Sequence, residues 1–239
     1  MNIRNCILIL ATIALTTSCG EYWEGEDPTA REMRLSRRAI NLMVGDRYRI
    51  PVEFTPEDVT NNAVWWQIGD LEVAEIDNDT IVGVSEGVTM AYATSVSDLL
   101  KDSCRVNVFP VMYVHPKEYP YDMVIYARVT ILGKEYTKAD EDSIIVAAYI
   151  NGELRGIGKM REWNNIHYME IRVWHYTSND IENVTFRCYW RGKAHVQDFD
   201  VFLRFDGESH GSLSNLFPLV ISEWEDDPDD EDEPFIFGP

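Results

Sequence analysis

Apolar and polar positions alternate at period two along most of this chain, in short runs separated by turn residues. Tyr48, Ile50, Val52 and Phe54 alternate with Arg47, Arg49, Pro51 and Glu53, so one face of that segment is apolar and the other meets water. Thr55-Pro56-Glu57-Asp58 breaks the strand. Val64, Trp66 and Ile68 alternate next, Val73-Ala74-Glu75-Ile76 follows, and Asp77-Asn78-Asp79-Thr80 turns the chain into Ile81-Val82-Gly83-Val84. Gly87 opens a run from Val88 to Thr94. No helical period persists over helix length, and residues 33–109 therefore read as an all-β sandwich. Trp66 shares its phase with Val64 and Ile68 and is expected in the core. Trp65 points outward, where it is either a ligand contact or an idle surface aromatic.

The alternation continues with longer strands across residues 110–222, a second β-sandwich domain. Met123, Ile125, Ala127, Val129 and Ile131 fall on one side of a strand whose other side carries Val124, Tyr126, Arg128 and Thr130. Ile144 to Ile150 is apolar on both faces, which fits a central strand covered on both sides. Asn151-Gly152 follows, the strongest short signal for a tight hairpin turn, because both central residues of a type I′ turn need positive φ. Glu153 to Gly158 is the return strand, its two glycines marking a bulge or close packing. Tyr168 to Tyr176, Val184 to Trp190 and Asp200 to Phe205 supply three further strands.

Residues 1–18 have different chemistry: Arg4, an apolar run from Cys6 to Leu15, then Thr16, Thr17 and Ser18 before Cys19. A charged start, a short apolar middle and a small-residue end are the parts of a signal peptide. The apolar run of about 10 residues is well short of the ~20 that span a bilayer. Leu15-Thr16-Thr17-Ser18-Cys19-Gly20 resembles a bacterial lipobox with Thr16 where leucine is usual, a relaxed form familiar in the Bacteroidetes. That resemblance implies acylation of Cys19 and a membrane anchor. Residues 19–32 read as an acidic tether, similar to the signal that sends Bacteroidetes lipoproteins to the outer face of the outer membrane.

Of the remaining cysteines, Cys104 sits in phase with Val106 and Val108, and Cys188 with Val184, Phe186 and Trp190. Both point into sandwich cores, and thiols in separate cores cannot reach the ~5.5 Å Cα separation of a disulfide. Two buried free thiols are expected.

The formal net charge is −20, and removing Arg4 with the leader takes it to −21. A field of that sign repels phosphate backbones and anionic headgroups, so nucleic acid and electrostatic membrane docking are poor partners. The tail, 223–239, holds nine acids and no base between Glu223 and Glu233, and such runs normally stay solvated. His115, His167, His175, His195 and His210 show no metal-ligand spacing and read as scattered surface residues. Asp140, Glu141 and Asp142 lack the spacing of a calcium loop. No nucleophile elbow, phosphate loop or dinucleotide fingerprint is present, so no catalytic residue, metal or cofactor is assigned. A glycosidase pair cannot be nominated among 41 acids.

Leu42-Met43-Val44-Gly45-Asp46, Phe54-Thr55-Pro56, Val64-Trp65-Trp66, Val73-Ala74-Glu75-Ile76-Asp77 and Val82-Gly83-Val84-Ser85-Glu86-Gly87 resemble, in order, the landmarks of bacterial immunoglobulin-like domains of group two. The family implies a compact sandwich used as a spacer or adhesive module in surface proteins. Ile145 to Gly156 looks like a hairpin recurring in β-sandwich modules of Bacteroidetes surface proteins. Together these imply a non-enzymatic surface lipoprotein acting in adhesion or interaction. The alternative is a glycan-binding accessory lipoprotein, with Trp163, Trp174 and Tyr176 stacking on sugar rings. Trp163 is the leading candidate, and core packing is the expected fate of Trp174. The partner is then a surface protein or a glycan. Mass spectrometry of the membrane fraction should find an acylated N-terminal cysteine at position 19, and a free Gly20 terminus would exclude it.

Overall fold

The computed structural model describes residues 29–178 and 182–224. Among them there is no α-helix, only strands and short 3-10 turns. The first nine strands are β1 (Glu32–Leu35), β2 (Ala39–Met43), β3 (Arg47–Tyr48), β4 (Val52–Thr55), β5 (Val64–Ile68), β6 (Ala74–Asp77), β7 (Thr80–Gly83), β8 (Gly87–Ser95) and β9 (Lys101–Phe109). One layer has the order β2-β9-β8-β5, with β2 parallel to β9, and the other is made of β1-β4 and β3-β7-β6. This is an immunoglobulin-like arrangement. The segment expected as one strand from Tyr48 to Phe54 is divided at Pro51, which has no N–H to give a ladder, while its carbonyl accepts the Ser36 N–H at 3.0 Å.

Eight more strands follow: β10 (Tyr121–Ile131), β11 (Lys134–Glu135), β12 (Ile144–Ile150), β13 (Glu153–Trp163), β14 (Ile166–His175), β15 (Asn183–Trp190), β16 (His195–Arg204) and β17 (Phe217–Ile221). Their order is β11-β10-β14-β13-β12-β15-β16, with β17 parallel to β10. The sheet folds over itself because β13 serves both layers: Glu153 to Ile157 pairs with β12, and Gly158 to Trp163 pairs with β14. At the corner Ala148 faces Gly156 while Tyr149 faces Leu154, which leaves Arg155 as the extra residue of a β-bulge. A Cβ on Gly156 would lie 2.6 Å from the Arg172 carbonyl oxygen, so the second layer closes only over a glycine. Asn151 and Gly152 have φ of 52° and 78°, the hairpin turn that the sequence indicates.

The two groups of strands have separate apolar cores. Cys104 is buried with Ile40, Leu42, Ile81 and Val106 in the first, and Cys188 with Ile125, Val146, Ile171 and Phe186 in the second. Both thiols are free. A third, smaller cluster joins the groups: Met43, Phe109 and Met112 pack on Ala147, Tyr149 and Tyr189. Beside it the Arg191 guanidinium donates from Nε to the buried Asp46 carboxylate at 2.8 Å, and Asn41 N–H donates to the Ala194 carbonyl at 2.8 Å. Ala194 itself is fully buried in the first core.

Burial pushes the Cys188 thiol up to about 12, whereas an unfolded cysteine titrates near ~8.5. Because the folded value is the higher one, its stabilising contribution is complete below about pH 8.5 and is lost as pH rises toward about 12. Urea midpoints should fall across that window, less steeply in Cys188→Ala. Thiol reagents should label Cys104 and Cys188 only after unfolding, and labelling of the native chain would contradict the burial.

Candidate functional site

The two outer faces of the second group differ in cover. Ile145, Ala147 and Tyr149 of β12 face outward but lie beneath the junction cluster. Among the described residues no such cluster packs on the outer face of β10, β14 and β13. Burial alternates along β14, with Met169, Ile171, Val173 and His175 inward, so Ile166, Tyr168, Glu170, Arg172 and Trp174 face out. Register places Trp163 opposite Ile166, Arg161 opposite Tyr168, and Lys159 opposite Glu170. On the other side of β14, Tyr126 is opposite Glu170, Val124 opposite Arg172 and Asp122 opposite Trp174. Four aromatic residues, Trp163, Tyr168, Tyr126 and Trp174, therefore share one face.

Local chemistry explains their placement. Asn164 and Asn165 both take positive φ, 49° and 62°, the two-residue turn that reverses β13 into β14 and leaves Trp163 at its tip. Trp163 is 60% exposed. The Tyr126 and Tyr168 rings lie 5.8 Å apart at 53°. The Arg172 guanidinium sits 5.7 Å from the Trp174 ring and donates to Asp122 at 2.9 Å. Arg161 lies 3.8 Å from Glu170, and Arg128 3.6 Å from Glu135. The eight-residue interval from Ile166 to Trp174 makes the strip about 26 Å long at ~3.3 Å per residue.

Tyr176, two residues beyond Trp174, belongs to a different cluster. Arg155 lies 4.9 Å from the Tyr119 ring and 5.1 Å from the Tyr176 ring, and those rings are 4.8 Å apart. Its Nη1 donates to Tyr119 Oη at 2.6 Å and its Nη2 to Glu153 at 2.5 Å. Burial raises the Tyr119 hydroxyl above the ordinary phenol range, with Arg155 opposing the shift. The guanidinium and the two rings form a mutually touching trio, in which the cation lies against both ring systems, a cation–π arrangement. Tyr119 and Arg155 were not singled out from sequence, because only the bulge turns Arg155 toward Tyr176. Tyr126 was placed by phase on the second face of its strand, but its meeting with Tyr168 depends on strand register.

Of the candidate contacts, Trp163 and Trp174 are on one face at opposite ends, Tyr176 is beside the Trp174 end, and Trp65 stands apart on β5, 62% exposed. Trp174 corrects the expected core packing, since Val173 and His175 take the inward positions instead. Two histidines also correct the surface reading. His175 is buried against the Phe205 ring at 4.9 Å, and His195 stacks on Trp224 at 3.9 Å. Trp66 packs on the first core but is only half-buried, because it lines an open cleft of about 500 Å³ with Arg49, Pro51, Val52, Phe54 and Val64. Asp140 sits in a turn before β12, its carboxyl held below the usual range by Lys134 and by the Thr137 N–H. Among the described residues no group of three His, Cys, Asp or Glu is placed to hold a metal. No helix there is long and apolar enough to cross a membrane. Cys19 and residues 225–239 of the acidic tail lie outside the described residues.

No family model matches the chain, and no curated protein matches it. Similar solved structures include domains 4–9 of surface layer protein SbsC, 12% identical over 72% of this chain and 31% of that one, with a TM-score of 0.29. Another is protocadherin gamma B7 extracellular cadherin domains 1–4, 13% identical over 72% and 49%, TM-score 0.27. A third is Bacteroides ovatus SGBP-B of the mixed-linkage glucan utilization locus, in complex with a mixed-linkage heptasaccharide, 16% identical over 74% and 45%, TM-score 0.22. The chain spans about a third of the SbsC fragment. Likeness at this level assigns no ligand.

The half-burial of Trp66 lowers what its removal should cost. Trp66→Ala should destabilise by roughly 2–3 kcal/mol in urea melts, at or below the bottom of the ~3–5 range for a fully buried large aromatic. Trp65→Ala should stay within about 0.5 kcal/mol. Equal losses would refute the strand phase.

Proposed function

We propose that this chain is a non-enzymatic binding module of the bacterial envelope, and that its ligand is an extended glycan held on the outer face of β10, β14 and β13. The carrying observation is the alignment of Trp163, Tyr168, Tyr126 and Trp174 on one uncovered face. Sugar rings offer an apolar C–H face that stacks on aromatic rings and a rim of hydroxyls that needs hydrogen-bond partners. The paired side chains between the rings, Arg161 with Glu170 and Arg172 with Asp122, supply donors and acceptors at near-neutral local charge. This moves weight from general adhesion, first on sequence alone, to glycan recognition.

The remainder of the proposal follows the sequence landmarks. Residues 33–109 are a bacterial immunoglobulin-like domain of group two that lifts the second domain, 110–222, away from an outer membrane to which Cys19 is lipid-anchored, in a Bacteroidetes surface lipoprotein. The net charge of −20 supports a neutral ligand, because it repels polyanions.

Affinity electrophoresis through gels containing soluble neutral polysaccharides tests this reading. Retardation by at least one polymer is expected, with Trp163→Ala and Tyr168→Ala each weakening binding about tenfold, equivalent to ~1.4 kcal/mol. Trp65→Ala should bind as the parent does. No retardation by any glycan, or unchanged retardation of the double variant, would overturn it.

A further inference from the structure

The first group of strands carries a cleft of about 500 Å³ that belongs neither to the aromatic strip nor to the junction. It lies between β4 and β5, the outer strands of opposite layers, and its volume is within the ~300–1,000 Å³ of ligand sites. Its origin is a difference in length between the strands of the second layer. β3 pairs with β7 at Arg47 and Tyr48, but the hairpin of β6 and β7 turns at Asn78 and Asp79, with φ of 49° and 60°. Beyond Pro51 the chain continues as β4, which among the described residues pairs only with β1.

One edge of β4 is therefore open. Ser36 N–H donates to the Pro51 carbonyl at 3.0 Å, and bonded and non-bonded pairs alternate along an antiparallel ladder. The backbone of residues 51 and 53 thus turns toward β1, and the N–H and C=O of Val52 and Phe54 turn toward the cleft. Side chains across the cleft are short of cover at the same level. Val64 and Trp66 point inward from β5 yet stay half-exposed, whereas Ile68, two residues on along the same face, is 7% exposed. A strand laid beside β4, ~4.8 Å away, would meet the open backbone groups and cover these side chains together.

We infer that this cleft binds an extended peptide segment of a partner protein as an added strand beside β4, apolar at alternate positions and basic at its ends. Main-chain hydrogen bonds to Val52 and Phe54 hold the segment, and its side chains at every second position pack on Val64 and Trp66. Charge selects the ends. Glu57 and Asp58 in the loop from β4 to β5, and Asp79 at the hairpin tip, are exposed around the cleft, against Arg49 alone. A second copy of this chain is the wrong occupant, because two bodies of net charge −20 repel each other. This site is independent of the glycan reading, which concerns the other group of strands.

Synthetic heptapeptides with Val, Ile, Leu or Phe at alternate positions and lysine at both ends test the inference on the full chain, by calorimetry and amide hydrogen exchange. Binding at micromolar to millimolar concentration is expected, with exchange slowed at Val52 and Phe54. Trp66→Ala should weaken binding about tenfold, while Trp65→Ala, on the outer face of the same strand, should leave it unchanged. Methylating the peptide's backbone nitrogens removes its donors and should abolish binding to the parent chain, a readout that needs no protein variant to fold. No binding by any member of the panel, equal binding of peptides with glutamate ends or methylated nitrogens, or binding without protection at Val52 and Phe54 would overturn the inference. The same protection produced by a soluble neutral polysaccharide, or by concentrating the chain without peptide, would overturn it too, by making the occupant a glycan or a second copy.

Discussion

The close approach of Gly156 to the Arg172 carbonyl is the constraint on which the second half of the molecule depends. One strand, β13, must leave the layer of β12, β15 and β16 and enter the layer of β14 and β10, and its pairing passes from β12 at Ile157 to β14 at Gly158. The bulge at Arg155 supplies the turn, and Gly156 and Gly158 supply the clearance: a Cβ at the latter would lie 2.4 Å from the Met169 sulfur. Overpacking of that kind costs about 1–3 kcal/mol per site. The core residues on either side of the corner, Met160 and Met169 with Val146 and Ala148, meet only because the strand folds there. The same corner aims Arg155 at Tyr119 and Tyr176 and sends the rest of β13 outward to Trp163. Fold and candidate site therefore have one mechanical origin.

The junction between the two groups has a different character. Its apolar part is small, and beside it Asp46, only 6% exposed, receives the Arg191 guanidinium and the Met43 N–H. Hydrogen bonding to that carboxylate raises Arg191 above its ordinary value. The carboxylate is the buried member and the guanidinium is partly exposed, so the pair adds little over an apolar contact of the same size, yet removing Arg191 would leave the Asp46 charge buried without its partner. The pair thus specifies one relative placement more than it adds stability. By covering the outer side of β12, that placement also leaves the β10, β14 and β13 face as the open one.

Strand existence and phase were legible because period two survives in single sequences. Met123 to Ile131, the both-face burial of β12 and the Asn151-Gly152 turn all follow from local pattern, and so do the buried thiols. Three things were not legible. β17 contains Pro218, which argues against a strand, and it exists because β10 offers a parallel edge where Pro needs no ladder donor. Trp174 was expected in the core, whereas the strand phase puts Val173 and His175 there, with His175 against Phe205. The aromatic strip depends on cross-strand register, Tyr126 with Glu170 and Arg161 with Tyr168, and register is a long-range property that bulges alter.

Charge distribution explains why an uncovered aromatic face is tolerable on this chain. An exposed apolar sheet face ordinarily invites self-association, but a body of net charge −20 repels its own copies at long range. The guanidinium and carboxylate groups between the rings cancel locally, so the face itself neither attracts nor rejects a neutral chain. Selectivity then falls to shape: the rings are spread along the strand over about 26 Å, a length set by the ~3.3 Å rise of β14, and only a ligand extended in the same direction can reach both Trp163 and Trp174. A compact protein loop would engage one end of the strip, whereas an extended glycan would engage its whole length, and it is this linear geometry that favours the glycan reading over general adhesion.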